Sequence, residues 1–182
     1  MGTREDLLTA AKQCLAERGY ARTTVRDIVA ASGTNLAAIN YHFGTRDKLL
    51  FQAMMESSAT AVQQILESLP DGGADDPAVR LQDFLQKLIT SFTEDHALWS
   101  ANIESLAQAL HSPEIRTELG NAQATARTEL AHLFPPADKN SQIGAVLQTL
   151  IGGLLLQWLV DPDHAPTAAD ITAGLHNLAA RT

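Results

Sequence analysis

The chain is short of aromatic side chains, has a single cysteine and carries no apolar run at its start, and each shortage removes a class of protein. Aromatics are 5% of 182 residues while Ala and Leu are abundant and Val and Ile modest, a bias toward helix over strand. One cysteine, Cys14, excludes an intramolecular disulfide framework and fits a reducing, cytoplasmic setting. It lies between Ala11 and Leu15 on an apolar helical face, which predicts a buried filler rather than a redox sensor. The first residues, Gly2 to Asp6, are polar, with no signal-peptide pattern. The most apolar stretch, Gly144 to Val160, is interrupted by Gln148 and Gln157 and falls short of the roughly 20 residues a spanning helix needs. It reads as a buried helix, with no membrane partner expected. Nucleophile elbow, Gly-rich phosphate loop and HExxH are all missing. The histidines are scattered without an i, i+4 partner, so neither a metal nor a cofactor is expected.

What is present is an apolar share of 45%, enough for a sizeable core, and an uneven distribution of charge. The formal net charge is -8, but residues 1–50 hold seven Lys/Arg against five Asp/Glu, and residues 51–182 hold six against sixteen. A mildly basic head on an acidic body is compatible with binding DNA through the head alone.

Nine helices are expected. Leu7, Leu8, Ala11, Cys14 and Leu15 set the first, with Gly19 as its stop. Thr24 with Asp27 resembles a capping box opening a second helix, whose Val25, Ile28 and Val29 face inward and which ends at Ser32-Gly33. Asn35 can cap a short third helix in which Ile39 and Phe43 point inward. That leaves Leu36, Ala37, Ala38, Asn40 and Tyr41 on or near its open side. Short side chains and an amide suit the floor of the major groove, where Asn pairs bidentately with adenine. Tyr41, His42, Arg46 and Lys48 follow as donors within reach of flanking phosphates, a role that fits His42 better than metal ligation. Thr45 with Asp47 caps a fourth helix, striped by Leu50, Met54, Ala61, Ile65 and Leu69.

Pro70-Asp71-Gly72-Gly73 ends the fourth helix, and Asp76-Pro77 opens a fifth with Leu81, Phe84, Leu85, Leu88 and Phe92 inward. Trp99, Ile103, Leu106 and Leu110 mark a sixth. Ser112-Pro113-Glu114 opens a seventh, striped by Ile115, Leu119, Ala122, Ala126, Leu130 and Leu133 and closed by Pro135-Pro136. The eighth, about Ser141 to Val160, is apolar nearly all round, so that one side can face the core and another a partner chain. Asp161-Pro162 ends it, and Thr167 with Asp170 caps a ninth carrying Ile171, Leu175 and Leu178. Phe84, Leu88, Phe92, Trp99, Ile103 and Leu106 fit an apolar cavity inside helices five and six, with Asn102, Gln123, Arg127, Gln148 and Trp158 as polar or aromatic contacts; plain core is the competing reading of each apolar one.

Four stretches resemble the N-terminal domain of the bacterial tetracycline-repressor (TetR) family: A-E-R-G-Y at Ala16 to Tyr20, T-V-R-D-I at Thr24 to Ile28, the Gly33 turn, and Y-H-F-G-T-R-D at Tyr41 to Asp47. The likeness is close over about the first 50 residues. It implies an all-α protein with a three-helix helix-turn-helix DNA-binding head over 1–48 and an effector-binding and dimerisation body over 49–182. The double-stranded DNA operator would be palindromic, the homodimer would form through helices eight and nine, and an unidentified small-molecule effector would release a repressor from its site. Phosphate contacts would fall on Thr24, Val25 through its backbone, Tyr41, His42 and Arg46. Base readout would fall among Asn35, Leu36, Ala37, Ala38 and Asn40, with Asn35 either a cap alone or a cap and a DNA contact. Asn40 stands where an aromatic is common, Arg46 where lysine is usual, and Leu36 where polar or basic residues are frequent. The competing reading is a small-molecule carrier or enzyme whose head has lost DNA affinity.

Overall fold

A computed structural model of the chain describes residues 2–69, 76–134 and 141–181. Within them the elements are α1 (Thr3–Arg18), α2 (Val25–Ser32), α3 (Leu36–Phe43), α4 (Arg46–Glu67), α5 (Pro77–Glu94), α6 (His96–Ala109), α7 (Pro113–Ala131), α8 (Ser141–Val160) and α9 (Ala168–Ala179), with no strand among the described residues. The expected breaks at Pro70 to Gly73 and at Pro135-Pro136 lie outside the described residues. The chain forms two compact units, residues 1–60 with 97–120, and residues 61–96 with 121–182. The first is larger than the 1–48 head expected from sequence, since it takes in the start of α4, all of α6 after His96, and the start of α7.

In the first unit local chemistry sets the helix ends. Thr24 and Asp27 form a reciprocal capping box: the Asp27 amide donates to Thr24 Oγ1 at 3.3 Å and the Thr24 amide donates to the Asp27 carboxylate at 2.8 Å. Those hydrogen bonds, the Thr24 hydroxyl first and its backbone amide second, hold the Asp27 carboxyl below its ordinary value. Gly33 closes α2 in the left-handed region at φ 65°, where a side chain would be strained. Asn35 Oδ1 accepts from the Ala38 amide at 3.0 Å and starts α3. The core beneath is continuous: Leu7, Ala11, Cys14 and Leu15 of α1, Ile28 of α2, Ile39 and Phe43 of α3, Leu49, Leu50 and Met54 of α4, and Ala101 of α6. Cys14 is buried there, and burial pushes its thiol up.

The second unit is a bundle in which α5 packs against both α8 and α9. Phe84, Leu85, Leu88, Ile89 and Phe92 are buried along α5 at the spacing expected. The α9 cap matches that of α2, with Asp170 and Thr167 exchanging hydrogen bonds of 3.1 and 2.9 Å. Gly144 lets α8 lie against α7, since a Cβ there would fall 1.9 Å from the Arg127 carbonyl oxygen.

Two expectations need correcting. Leu110 follows the last turn of α6 and is 68% exposed, because the helix ends one residue before its stripe would. The helix α8 is not wholly buried: Gly144, Leu147, Leu154 and Leu155 face inward, while Leu156 and Val160 are exposed. At 20 residues it is also, by length and composition alone, long enough to cross a membrane.

Candidate nucleic-acid interface

The short helix α3 is held from beneath and open above. Ile39 is fully buried and Phe43 nearly so, fixing the helix to α1 and α4. Opposite them Leu36 is 53% and Tyr41 85% exposed, and Asn35, Ala37 and Asn40 are exposed as well. Leu36 and Tyr41 thus lie on the face of α3 that the rest of the unit leaves accessible. Ala38 is half-buried and packed on the core, so it belongs to the floor of the unit more than to the open side where the sequence placed it.

The flanking donors divide into exposed and occupied groups. Tyr41 and His42 stack edge to face at 4.9 Å between ring centres, and His42 leans on Phe43 in turn at 6.4 Å, so both rings have a set direction. Thr24 is exposed at the α2 N-terminus, with its hydroxyl engaged in the capping box, and Val25 supplies the first helical amide. These amides and the helix dipole are suited to a phosphate oxygen.

Arg46 and Lys48 sit differently from the free phosphate donors their sequence positions suggest. The Arg46 Nε donates to the Thr23 carbonyl at 2.7 Å and Nη2 to the Tyr20 carbonyl at 2.8 Å, and Nη1 pairs with the Asp47 carboxylate at 2.6 Å. The guanidinium also lies 5.6 Å over the Tyr20 ring. Arg46 thus fastens the α1–α2 loop to the start of α4, which a lysine, a single point donor, could not do in this geometry. Tyr20 itself is buried, and its phenol is pushed up to about 12, mainly by that burial. Lys48 forms an ion pair with Glu114 of α7, and the hydrogen bond between them raises the lysine and lowers the carboxyl. In the same α1–α2 loop the Ala21 amide donates to Glu104 of α6 at 3.1 Å. No periodic pattern marks Glu104 or Glu114 as partners of the head, which is why sequence reasoning missed them.

The residues chosen from sequence for an effector are mostly committed elsewhere. In the second unit Phe84, Leu88 and Phe92 are fully buried core, Arg127 Nη1 donates to Gln148 Oε1 at 3.1 Å, Trp158 Nε1 donates to the Pro166 carbonyl at 3.0 Å, and Gln123 is exposed. In the first unit Trp99 is buried and Ile103 and Leu106 are half-buried, while Asn102 donates to Ser58 Oγ at 2.9 Å. A cavity does occur within the second unit, of about 580 Å³, between α5, α8 and α9, and none of these residues lines it.

Comparison with known proteins finds matches over most of the chain. Residues 7–53 match the model of bacterial regulatory proteins of the tetR family, and residues 77–181 that of the BetI-type transcriptional repressor C-terminal domain. The transcriptional repressor AcnR of Corynebacterium efficiens is 27% identical over 145 residues, 74% of this chain and 76% of its own. The transcriptional regulator TtgR of Pseudomonas putida is 24% identical over 93% of this chain and 86% of its own. Among solved structures, the multidrug binding protein EbrR complexed with proflavin superposes with a TM-score of 0.71 at 20% identity, covering 97% of this chain and 99% of that one.

Proposed function

This chain belongs to the tetR family of bacterial regulatory proteins and is a DNA-binding transcriptional regulator; from that premise we propose that it is a cytoplasmic homodimeric repressor that leaves a palindromic operator when a small molecule binds its body. It works by binding and not by catalysis. The observation that carries the DNA reading is the outer face of α3, where Leu36, Ala37, Asn40 and Tyr41 are exposed while Ile39 and Phe43 anchor the helix. In this reading Asn40 and Leu36 touch base edges, with Asn35 and Ala37 beside them. Tyr41, His42, Thr24 and the Val25 amide hold the backbone. Arg46 positions the head through its carbonyl contacts, and Lys48 reaches a phosphate only by leaving Glu114.

Dimerisation through α8 and α9 supplies the second head. Its support is the apolar surface left by a single chain, Leu156, Val160 at 74% and Leu178 at 66% exposure, together with Gly152 and Gly153, beside which there is open space in the isolated chain. Two such helix pairs would close into a four-helix interface. The heads would then enter major grooves spaced by whole helical turns. An effector shifts this equilibrium only as far as it prefers the state that misfits DNA, and the operator weakens effector binding by the same factor.

Selecting bound duplexes from a random library tests the reading. The wild type should yield a palindrome, and Asn40→Ala should lose preference at one base pair per half-site, worth about 1–3 kcal/mol, with the rest of the site kept. Recovery of no common sequence would contradict it.

A further inference from the structure

The α1–α2 loop, residues 19–24, ends at the Thr24 cap and so sets where the N-terminus of α2 stands. Its carbonyls and its buried hydroxyl are tied within the head. Thr23 is fully buried, with its hydroxyl 2.8 Å from the Gly19 carbonyl and 3.1 Å from the Cys14 carbonyl, and Arg46 donates to the Tyr20 and Thr23 carbonyls. The Ala21 amide differs, since its acceptor is the Glu104 carboxylate of α6 at 3.1 Å, 83 residues further along the chain. Glu104 is exposed, and among the described residues no Lys or Arg pairs with it. Its helix is nonetheless seated on the head. Ala101, one turn earlier on the same face of α6, lies in the core shared with α1 to α4, and Leu98 packs against that core. Asn102 donates to Ser58 Oγ of α4 at 2.9 Å.

We propose that Glu104 is a positioning residue for DNA binding: its carboxylate holds the Ala21 amide, and through this short loop it fixes Thr24 and the Val25 amide where a phosphate is met. The inference rests on the DNA reading above. The charge of Glu104 argues in the opposite direction, because a carboxylate near a surface that receives a polyanion lowers affinity. What it contributes must therefore come through geometry. A backbone N–H donating to a carboxylate makes a charge-assisted hydrogen bond, stronger than one to a neutral acceptor, and Thr24 follows Ala21 by only three positions. A loop held in this way before the encounter meets the phosphate without the ordering cost that a loose segment subtracts from affinity. Arg46 grips the loop by its carbonyls and Glu104 by its amide, so that the two act on the same segment from α4 and from α6.

The test compares Glu104→Gln with Glu104→Ala in the full-length chain, by anisotropy titration of a labelled random duplex at several salt concentrations. Both variants remove the same charge, and only glutamine keeps an acceptor for the Ala21 amide. Both suit an exposed helical position, so both should fold. Glu104→Ala should bind duplex about fivefold more weakly than Glu104→Gln, the net effect of one hydrogen bond, and that ratio should stay constant as salt is raised. Hydrogen exchange adds a readout that needs no DNA: the Ala21 amide should exchange about fivefold faster in Glu104→Ala than in Glu104→Gln, while amides of α1 and α3 keep their rates. Equal duplex affinity of the two variants, or equal Ala21 exchange, overturns the inference and leaves the DNA reading standing if the wild type binds. A wild type that shows no salt-dependent duplex binding contradicts the DNA reading and the inference with it.

Discussion

The two units of this chain are both built from helices and have a similar apolar share, yet they commit their polar groups differently. In the first unit, polar residues close helix ends and fasten segments to each other: Thr24 with Asp27, Asn35, Arg46 across Thr23 and Tyr20, Glu104 on the Ala21 amide. The result is a rigid support for an eight-residue helix whose outer face is left open. In the second unit, Arg127 with Gln148 ties α7 to α8 and the Trp158 indole on Pro166 ties α8 to the loop before α9, and what sets the unit apart is a space between helices and an apolar surface. The difference teaches that an open helix face is set by what local chemistry places on one helix, whereas a cavity is set by what packing leaves unfilled.

The largest expected break falls in the body. Gly144→Ala puts a Cβ 1.9 Å from the Arg127 carbonyl oxygen, a clash with backbone that no rotamer change relieves. Thermal unfolding should show a loss at or above the top of the roughly 1–3 kcal/mol range for overpacking. If the loss is confined to the second unit, hydrogen exchange in α1 to α3 will be unchanged.

Arg46 gives the next effect and sharpens the contrast within the head. Arg46→Met removes donors to two backbone carbonyls and should cost about 1–2 kcal/mol of stability, discounted for partial exposure. The salt dependence of duplex binding by the folded fraction should keep its slope. A slope reduced by about one, with stability intact, would return Arg46 to the phosphate contacts.

Acid should act on both units by a smaller amount. The Asp27 and Asp170 carboxyls are held below their ordinary value by hydrogen bonds from Thr24 and Thr167, and Glu114 by Lys48. A carboxyl depressed in the folded state stabilises above its unfolded value, near 4, and that contribution is lost as pH falls through the folded one. Melting temperature should therefore decline below about pH 4, and Asp27→Asn with Asp170→Asn should flatten the decline.

The contrast also explains what could be read from the sequence. Capping pairs, the left-handed turn at Gly33 and the i, i+4 anchors Ile39 and Phe43 are decided by residues within a few positions of each other, so pattern alone finds them. The Lys48–Glu114 and Ala21–Glu104 contacts join positions far apart in the chain, and no local rule foresees them. Arg46 was legible as a cation at the right place but not as one already occupied. For the cavity, the apolar spacing of Phe84, Leu88 and Phe92 is the same whether a helix face meets another helix or a void. The cavity lies instead against Leu81, one turn before Phe84 on α5, together with Leu150 of α8 and Leu175 of α9.

The proposed regulatory function depends on the outer face of α3 being a DNA surface, and a fluorescence anisotropy titration of a labelled random duplex across a range of salt concentrations tests that most directly. A DNA surface on α3 should give binding whose logarithm falls linearly with the logarithm of salt, with a slope set by several phosphates, and a loss of most of that binding in the Tyr41→Ala and His42→Ala double variant. Binding that is absent at low salt, or present and indifferent to salt, would contradict it.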